Sequence, residues 1–145
     1  MIKINFVCVG NLKEKFFVEA AEEYLKRLSR FCRTEVKELP ERKNPEDEAE
    51  SVLRALKGRV VALAVEGKQC SSEAFAKKIA EYGDRGEEVT FVIGSSEGLS
   101  KKVKERADEL LSFSEMTFPH RLMRIVLLEQ VYRAFMINAG AKYHK

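Results

Sequence analysis

No apolar stretch in this 145-residue chain approaches the roughly 20 residues needed to cross a bilayer. The apolar opening, residues 2–9, is too short for a secretory signal and carries Lys3 inside it. Only three prolines and eight glycines are present, so a long disordered tract is not expected. Cysteine is also scarce. Cys8, Cys32 and Cys70 are odd in number and far apart, which excludes a paired-CxxC zinc site and argues against a disulfide framework. Reduced, buried or half-buried thiols in a cytoplasmic protein are the expectation. Neither GxxxxGK[ST] nor GxGxxG occurs, so neither familiar phosphate-cradling loop is supported. No metal-ligand cluster is present either, and no metal is expected.

Enough remains to fold. With 45% apolar and 34% charged residues the chain can bury a core beneath a solvated surface, and its length predicts one domain over residues 1–145. The net charge of +3 is unevenly placed. Residues 1–120 are nearly neutral, whereas Arg121, Arg124, Arg133, Lys142 and Lys145 face only Glu129 in the remainder. A basic end on a neutral body fits either an anionic partner or a solubilising tail.

The hydropathy pattern alternates between strand and helix. Residues 2–9 read as a strand closed by Gly10, and residues 13–31 as an amphipathic helix. A short strand over 34–39 ends at Pro40. Pro45 suits the start of a helix that Gly58 ends. Residues 59–65 and 89–93 are continuous β-prone runs, as in strands covered on both faces. Ser71 or Ser72 can cap a helix over about 73–82. Ser100 can cap one carrying Val103, Ala107, Leu110 and Leu111. A last strand over about 112–117 and a long helix over 121–138, stopped by Gly140, complete the pattern. Together these predict an α/β fold: a parallel sheet with helices on both faces.

In such sheets ligands bind at the carboxyl ends of strands. Three loops fall there: Glu66-Gly67-Lys68, Gly94 to Gly98, and Phe113 to Phe118. Gly94 and Gly98 would allow a close backbone approach to a ligand, although an ordinary tight turn also explains them. The last helix is apolar around most of its circumference, which predicts burial on two sides and hence a partner subunit. Glu129 and Arg133 lie at i,i+4 and suit either a mutual ion pair or a site. His120, after Pro119, reads as a structural hydrogen-bonding histidine ahead of a catalytic one. Tyr143, His144 and Lys145 combine a stacking ring, a group titrating near neutrality and a cation. That suits RNA and proton chemistry, against the plainer reading of a frayed end.

The segments IGSSEGLS (93–100), LSFSEMTFPHRLMRIVLLEQVYRA (111–134) and YHK (143–145) resemble the bacterial pseudouridine N-3 methyltransferases of 23S ribosomal RNA, of the SPOUT class. VGNLKEKF (9–16) and LAVEGK (63–68) extend the likeness over essentially the whole chain. The resemblance implies a SPOUT α/β fold whose C-terminal part forms a trefoil knot. It also implies a homodimer with its site at the interface, S-adenosylmethionine as cofactor, and 23S rRNA of assembled ribosomes as substrate. Carried over by position, the cofactor residues are Leu63, Gly94, Phe113, Ser114, Glu115, Met116, Thr117 and Phe118. The family usually has a second glycine where this chain has Ser95, a residue that would crowd the ligand if it needed positive φ. The chemistry implied is displacement on a sulfonium carbon with loss of the N3 proton of pseudouridine. His144 is the leading base, with Tyr143 and Arg133 positioning the substrate. A related enzyme acting on transfer RNA and a non-catalytic RNA-binding dimer are the alternatives.

Overall fold

Strands and helices alternate without exception along residues 1–143, the part of the chain that the computed structural model describes. The order is β1 (Lys3–Val9), α1 (Lys15–Leu28), β2 (Arg33–Leu39), α2 (Pro45–Ala55), β3 (Arg59–Lys68), α3 (Ser72–Asp84), β4 (Val89–Ile93), α4 (Lys101–Arg106), β5 (Glu109–Leu111) and α5 (His120–Asn138). The strands pair in parallel in the order β2-β1-β4-β3-β5.

The period-two alternation of β1 sorts its side chains onto two faces. Ile4, Phe6 and Cys8 join a core formed with α1, α3 and α5, which includes Leu28, Ile79, Leu127 and Val131. Val7 and Val9 join a second core with Val52, Val92, Leu99 and Val103 under α2 and α4. Phe6 and Phe91 stack at 5.9 Å between centroids on neighbouring strands. Burial of each such side chain contributes about 1.5–3 kcal/mol, so both sheet faces stabilise the fold.

Two caps form as the sequence predicts. Ser71 Oγ accepts from Ala74 N–H at 3.1 Å, and Ser100 Oγ accepts from Val103 N–H at 3.2 Å. Asn44 adds an unpredicted one, accepting from Asp47 N–H at 2.9 Å ahead of Pro45.

Three expectations need correction. The helix after Ser100 stops at Arg106, so Leu110 and Leu111 are strand residues rather than helix residues. The strand expected over 112–117 is instead β5, and residues 112–118 are loop. The cause lies in Asp108: its N–H bonds Val60 O at 2.9 Å and its carboxylate accepts from Val60 N–H at 2.8 Å, pinning the chain to β3 early. Glu66-Gly67-Lys68 is also not a free loop. Beyond a register shift β3 continues to Lys68, which pairs with Leu111, and Gly67 lies so close to the Leu110–Leu111 backbone that a β-carbon would approach to 2.6 Å. Cys8 and Cys32 are buried, as expected, but Cys70 is exposed.

Candidate functional site

The carboxyl ends of β3 and β4 and the loop after β5 enclose a cavity of about 290 Å³. Leu63, Gly94, Phe113, Ser114, Met116, Thr117 and Phe118 all line it; Glu115, from the same run, is exposed and does not. Ile93, Leu99, Leu111 and Met123 add apolar wall, while Glu66, Glu97 and Lys104 supply charge. The Lys104 ammonium lies 2.7 Å from Glu66 and holds that carboxyl below the usual range. Glu66 belongs to a loop singled out from sequence; Lys104 was missed, because α4 brings it back over β3 only after folding.

Each loop is shaped locally. Gly98 N–H bonds Ser95 O at 2.8 Å, and Gly98 takes φ 85°. That turn folds back over Gly94, where a β-carbon would meet Gly98 O at 2.4 Å. The close approach predicted for Gly94 is therefore made by its own loop. Ser95 needs no positive φ, since among the described residues only glycines have it. Its hydroxyl is turned toward the buried Glu48, whose carboxyl burial pushes up and the Arg42 N–H and Ser95 bonds pull down. In the third loop Ser112 Oγ donates to Ser114 O at 3.0 Å and Ser114 Oγ accepts from Met116 N–H at 3.0 Å.

His120 stands in the cavity wall at the first position of α5. Its Nε2 is buried with no hydrogen-bond partner among the described residues, so the structural hydrogen bond expected of it is not formed there. Burial, with Arg121 beside it, depresses its pKa and favours the neutral ring. Arg124, one turn on, is buried, with Nη1 at 2.6 Å from Glu38 and Nη2 donating to Gly10 O at 3.1 Å. These bonds fix the start of α5 beneath the loop after β1.

The other candidates lie at the opposite end of α5. Arg133 Nε donates to Glu129 at 3.0 Å, the i,i+4 pair the spacing suggests. Glu129 also accepts from Tyr24 Oη at 3.1 Å and from Tyr143 Oη. The Tyr143 ring packs edge-on to Tyr132 at 5.2 Å and under the Arg133 guanidinium at 4.9 Å. The bond to Glu129, with burial, pushes the Tyr143 hydroxyl up to about 12, so it stays protonated as a donor. His144 and Lys145 lie outside the described residues. From His120 to Arg133 the helix rises about 20 Å. One chain therefore does not bring Arg133 and Tyr143 to the cavity.

The family model described as "Predicted SPOUT methyltransferase" matches residues 2–144. The chain is 50% identical to the ribosomal RNA large subunit methyltransferase H of Levilactobacillus brevis and 48% identical to that of Lactobacillus acidophilus. Each alignment takes in 99% of this chain and all of the relative. In fold, it resembles a probable methylase family protein of Haemophilus influenzae at 12% identity and TM-score 0.61, over 99% of this chain and 70% of that one. A putative methylase of Neisseria gonorrhoeae aligns at 13% identity and TM-score 0.55, over 89% and 81%. With a family model spanning nearly every residue and relatives near half identity along their full length, this chain belongs to the SPOUT methyltransferases.

Proposed function

We propose that this protein is a cytoplasmic S-adenosylmethionine-dependent methyltransferase, one catalytic unit per chain, acting as a homodimer on ring nitrogen 3 of a pseudouridine in 23S rRNA. The observation that carries the reading is the cavity at the strand ends, in a chain that matches large-subunit rRNA methyltransferases along its whole length. Its residues suit the cofactor. Leu63, Phe113 and Phe118 offer apolar surface for a purine, Glu97 supplies a carboxylate suited to a cationic group, and Gly98 leaves its side of the wall open where a β-carbon would stand. When bound, S-adenosylmethionine supplies an electrophilic methyl group. Among the described residues no group of side chains is arranged to hold a metal ion, and this chemistry asks for none.

The protein's own part is alignment and proton removal. Tyr143 and Arg133 position the base and its phosphates, and His144 takes the N3 proton. A separation of about 20 Å along α5 supports an arrangement in which the tail of one subunit serves the cavity of the other. A pair of chains also gives α5 its second cover. Leu122 stands 36% exposed, and Val126, Met136 and Ile137 remain partly open in the single chain. Closed two-fold pairing is the commonest way to hide such a surface. Threading of the C-terminal segment through a preceding loop, the trefoil expected of this family, would fix the 112–118 loop against the 94–98 loop.

The test is methyl transfer from labelled S-adenosylmethionine into assembled ribosomes, free large subunits and tRNA. Label in the pseudouridine of 23S rRNA is the expected result. Label in tRNA would favour a related enzyme. Cofactor and RNA binding without transfer would leave an RNA-binding dimer.

A further inference from the structure

The sequence between Tyr24 and Thr34 holds Lys26, Arg27, Arg30 and Arg33 and no acid. Near-neutrality of the first 120 residues conceals this run, because the acidic stretch Glu46 to Glu50 balances it elsewhere. The fold brings the run to the C-terminal end of α5. Arg27 lies over the Tyr24 and Tyr132 rings at 5.5 and 5.6 Å. Phe31 stacks on Phe135 at 5.6 Å and meets Tyr132 edge-on, and Tyr132 in turn touches Tyr143. The end of α1, the end of α5 and the tail thus form one aromatic platform bordered by cations.

Those cations are available. Lys26, Arg30 and Lys142 are exposed and have no ion pair among the described residues. Two of the nearby acids are already engaged, Glu23 with Arg27, and Glu129 with Arg133 and two tyrosines, while Glu22 lies one turn before Lys26. Favourable placement at a helix C-terminus accounts for Lys26 and Arg27, which lie in the last turn of α1. It does not account for Arg30 or Lys142, which lie beyond any helix.

We infer that Lys26, Arg30 and Lys142, set around the Tyr24–Phe31–Tyr132 platform that Arg27 covers, form a docking surface for the ribose-phosphate backbone of RNA. Free cations neutralise phosphates without sequence preference, and the half-buried rings hold the backbone of this surface rigid beneath them. The surface continues from Tyr143, so it rests on the rRNA-methyltransferase reading and extends it. RNA held here by one subunit runs toward the cavity of the other.

The test compares Lys26→Ala/Arg30→Ala with a Lys101→Ala/Lys102→Ala control on α4, across the sheet. Binding to purified ribosomes is measured between 50 and 200 mM salt, with cofactor affinity and dimer mass followed in parallel. All four residues are exposed, so folding should be spared. The expected result is a roughly ten-fold weaker complex for the first pair, with a log–log salt slope shallower by about 0.7–0.9 per cation removed. Cofactor affinity should not move, and the control should match the unsubstituted protein. An unchanged affinity and slope, or an equal loss in the control, overturns the surface. Unsubstituted protein that binds ribosomes yet transfers no methyl group overturns the enzymatic reading and leaves the surface standing.

Discussion

The two ends of α5 are built from different materials. At its N-terminal end the cavity is made mainly of loop backbone and apolar side chains, shaped by Gly94, Gly98 and the serine-stabilised turn at 112–116. At its C-terminal end the features are side chains: three tyrosines, Phe31 and Phe135, and Glu129 holding Arg133 and Tyr143. Backbone-built loops suit a small ligand of fixed shape, which they can enclose. Long cations and rings suit a polymer that has to be gripped along its length. One helix carries both, about 20 Å apart, and so ties their spacing to a rigid rise per residue.

The largest effect should come from breaking the tail end alone. Deleting residues 142–145 should lower methyl transfer to ribosomes on the order of a hundred-fold or more, the range that general acid–base groups supply. Cofactor affinity by calorimetry and dimer mass by sedimentation should hold. Mixing this truncated chain with one inactivated in the cavity should restore transfer, because the hybrid pair keeps one intact cavity facing one intact tail. Hybrids as inactive as their parents would place the whole reaction within a single chain. His144→Ala should reduce kcat more than it raises KM, as expected for a proton acceptor that acts in the transition state.

Breaking the cavity end should give the opposite split. Gly94→Val places a branched side chain where even a β-carbon meets Gly98 O at 2.4 Å and Leu99 N at 3.0 Å. The 94–98 loop has to move, costing about 1–3 kcal/mol. Cofactor affinity should fall on the order of a hundred-fold, with a lower Tm, while ribosome binding through the tail end persists. Native cofactor affinity in a folded Gly94→Val protein would remove Gly94 from the site.

Sequence revealed these two ends unequally. The cavity loops were legible because strand periodicity marks where β3 and β4 end, and glycines follow β4. Their detail was not: Gly67 looked like a loop residue, but pairing with β5 keeps Lys68 in the sheet, a long-range bond that local pattern does not carry. Leu110 and Leu111 continued the helical spacing of Val103 and Ala107, yet Asp108 bonds Val60 and turns them into strand. At the other end, the ion pair of Glu129 and Arg133 could be read from i,i+4 spacing. The union of Tyr24, Phe31 and Tyr143 around it could not, since it depends on α1 and α5 lying side by side.

Alkaline pH should distinguish the ends more gently. Burial raises the Cys8 thiol to about 11, and it raises the Cys32 thiol to about 12, where the ordinary value is 9.0. Cys8 stands at the end of β1 near Arg124, whereas Cys32 lies at the end of α1, donating to Leu28 O. Each native thiol keeps its proton at a pH where the unfolded one has lost it. This contribution is complete below about 9 and is lost as pH rises toward 11 for Cys8 and 12 for Cys32. Urea midpoints should therefore fall between pH 9 and pH 11, and the decline should flatten in Cys8→Ala and Cys32→Ala. Parallel declines in all three proteins would assign the alkaline limb to other groups, such as Tyr82, whose hydroxyl burial and Glu109 also push up.

The smallest effect concerns Ser95, at the position where the sequence resemblance implies a second glycine. Had the position needed positive φ, Ser95→Gly would relieve strain and tighten cofactor binding. Ser95 has no such φ, and it lies beside the Glu48 carboxyl, which is only 2% exposed, has its pKa raised by burial and accepts from Arg42 N–H at 2.8 Å. Glu48 thus sets α2 beside the loop that walls the cavity. Ser95→Gly takes away the hydroxyl beside this carboxyl and frees the backbone of the unbound loop, the latter costing about 0.5–1 kcal/mol. Cofactor affinity should accordingly weaken by a few-fold rather than improve, and ribosome affinity should not change. Glu48→Gln, which keeps an acceptor for Arg42 N–H while removing the charge, should lie closer to the unsubstituted protein than Ser95→Gly does. Tighter cofactor binding in Ser95→Gly would show that the serine crowds the cavity, and that its place beside Glu48 does not hold the loop.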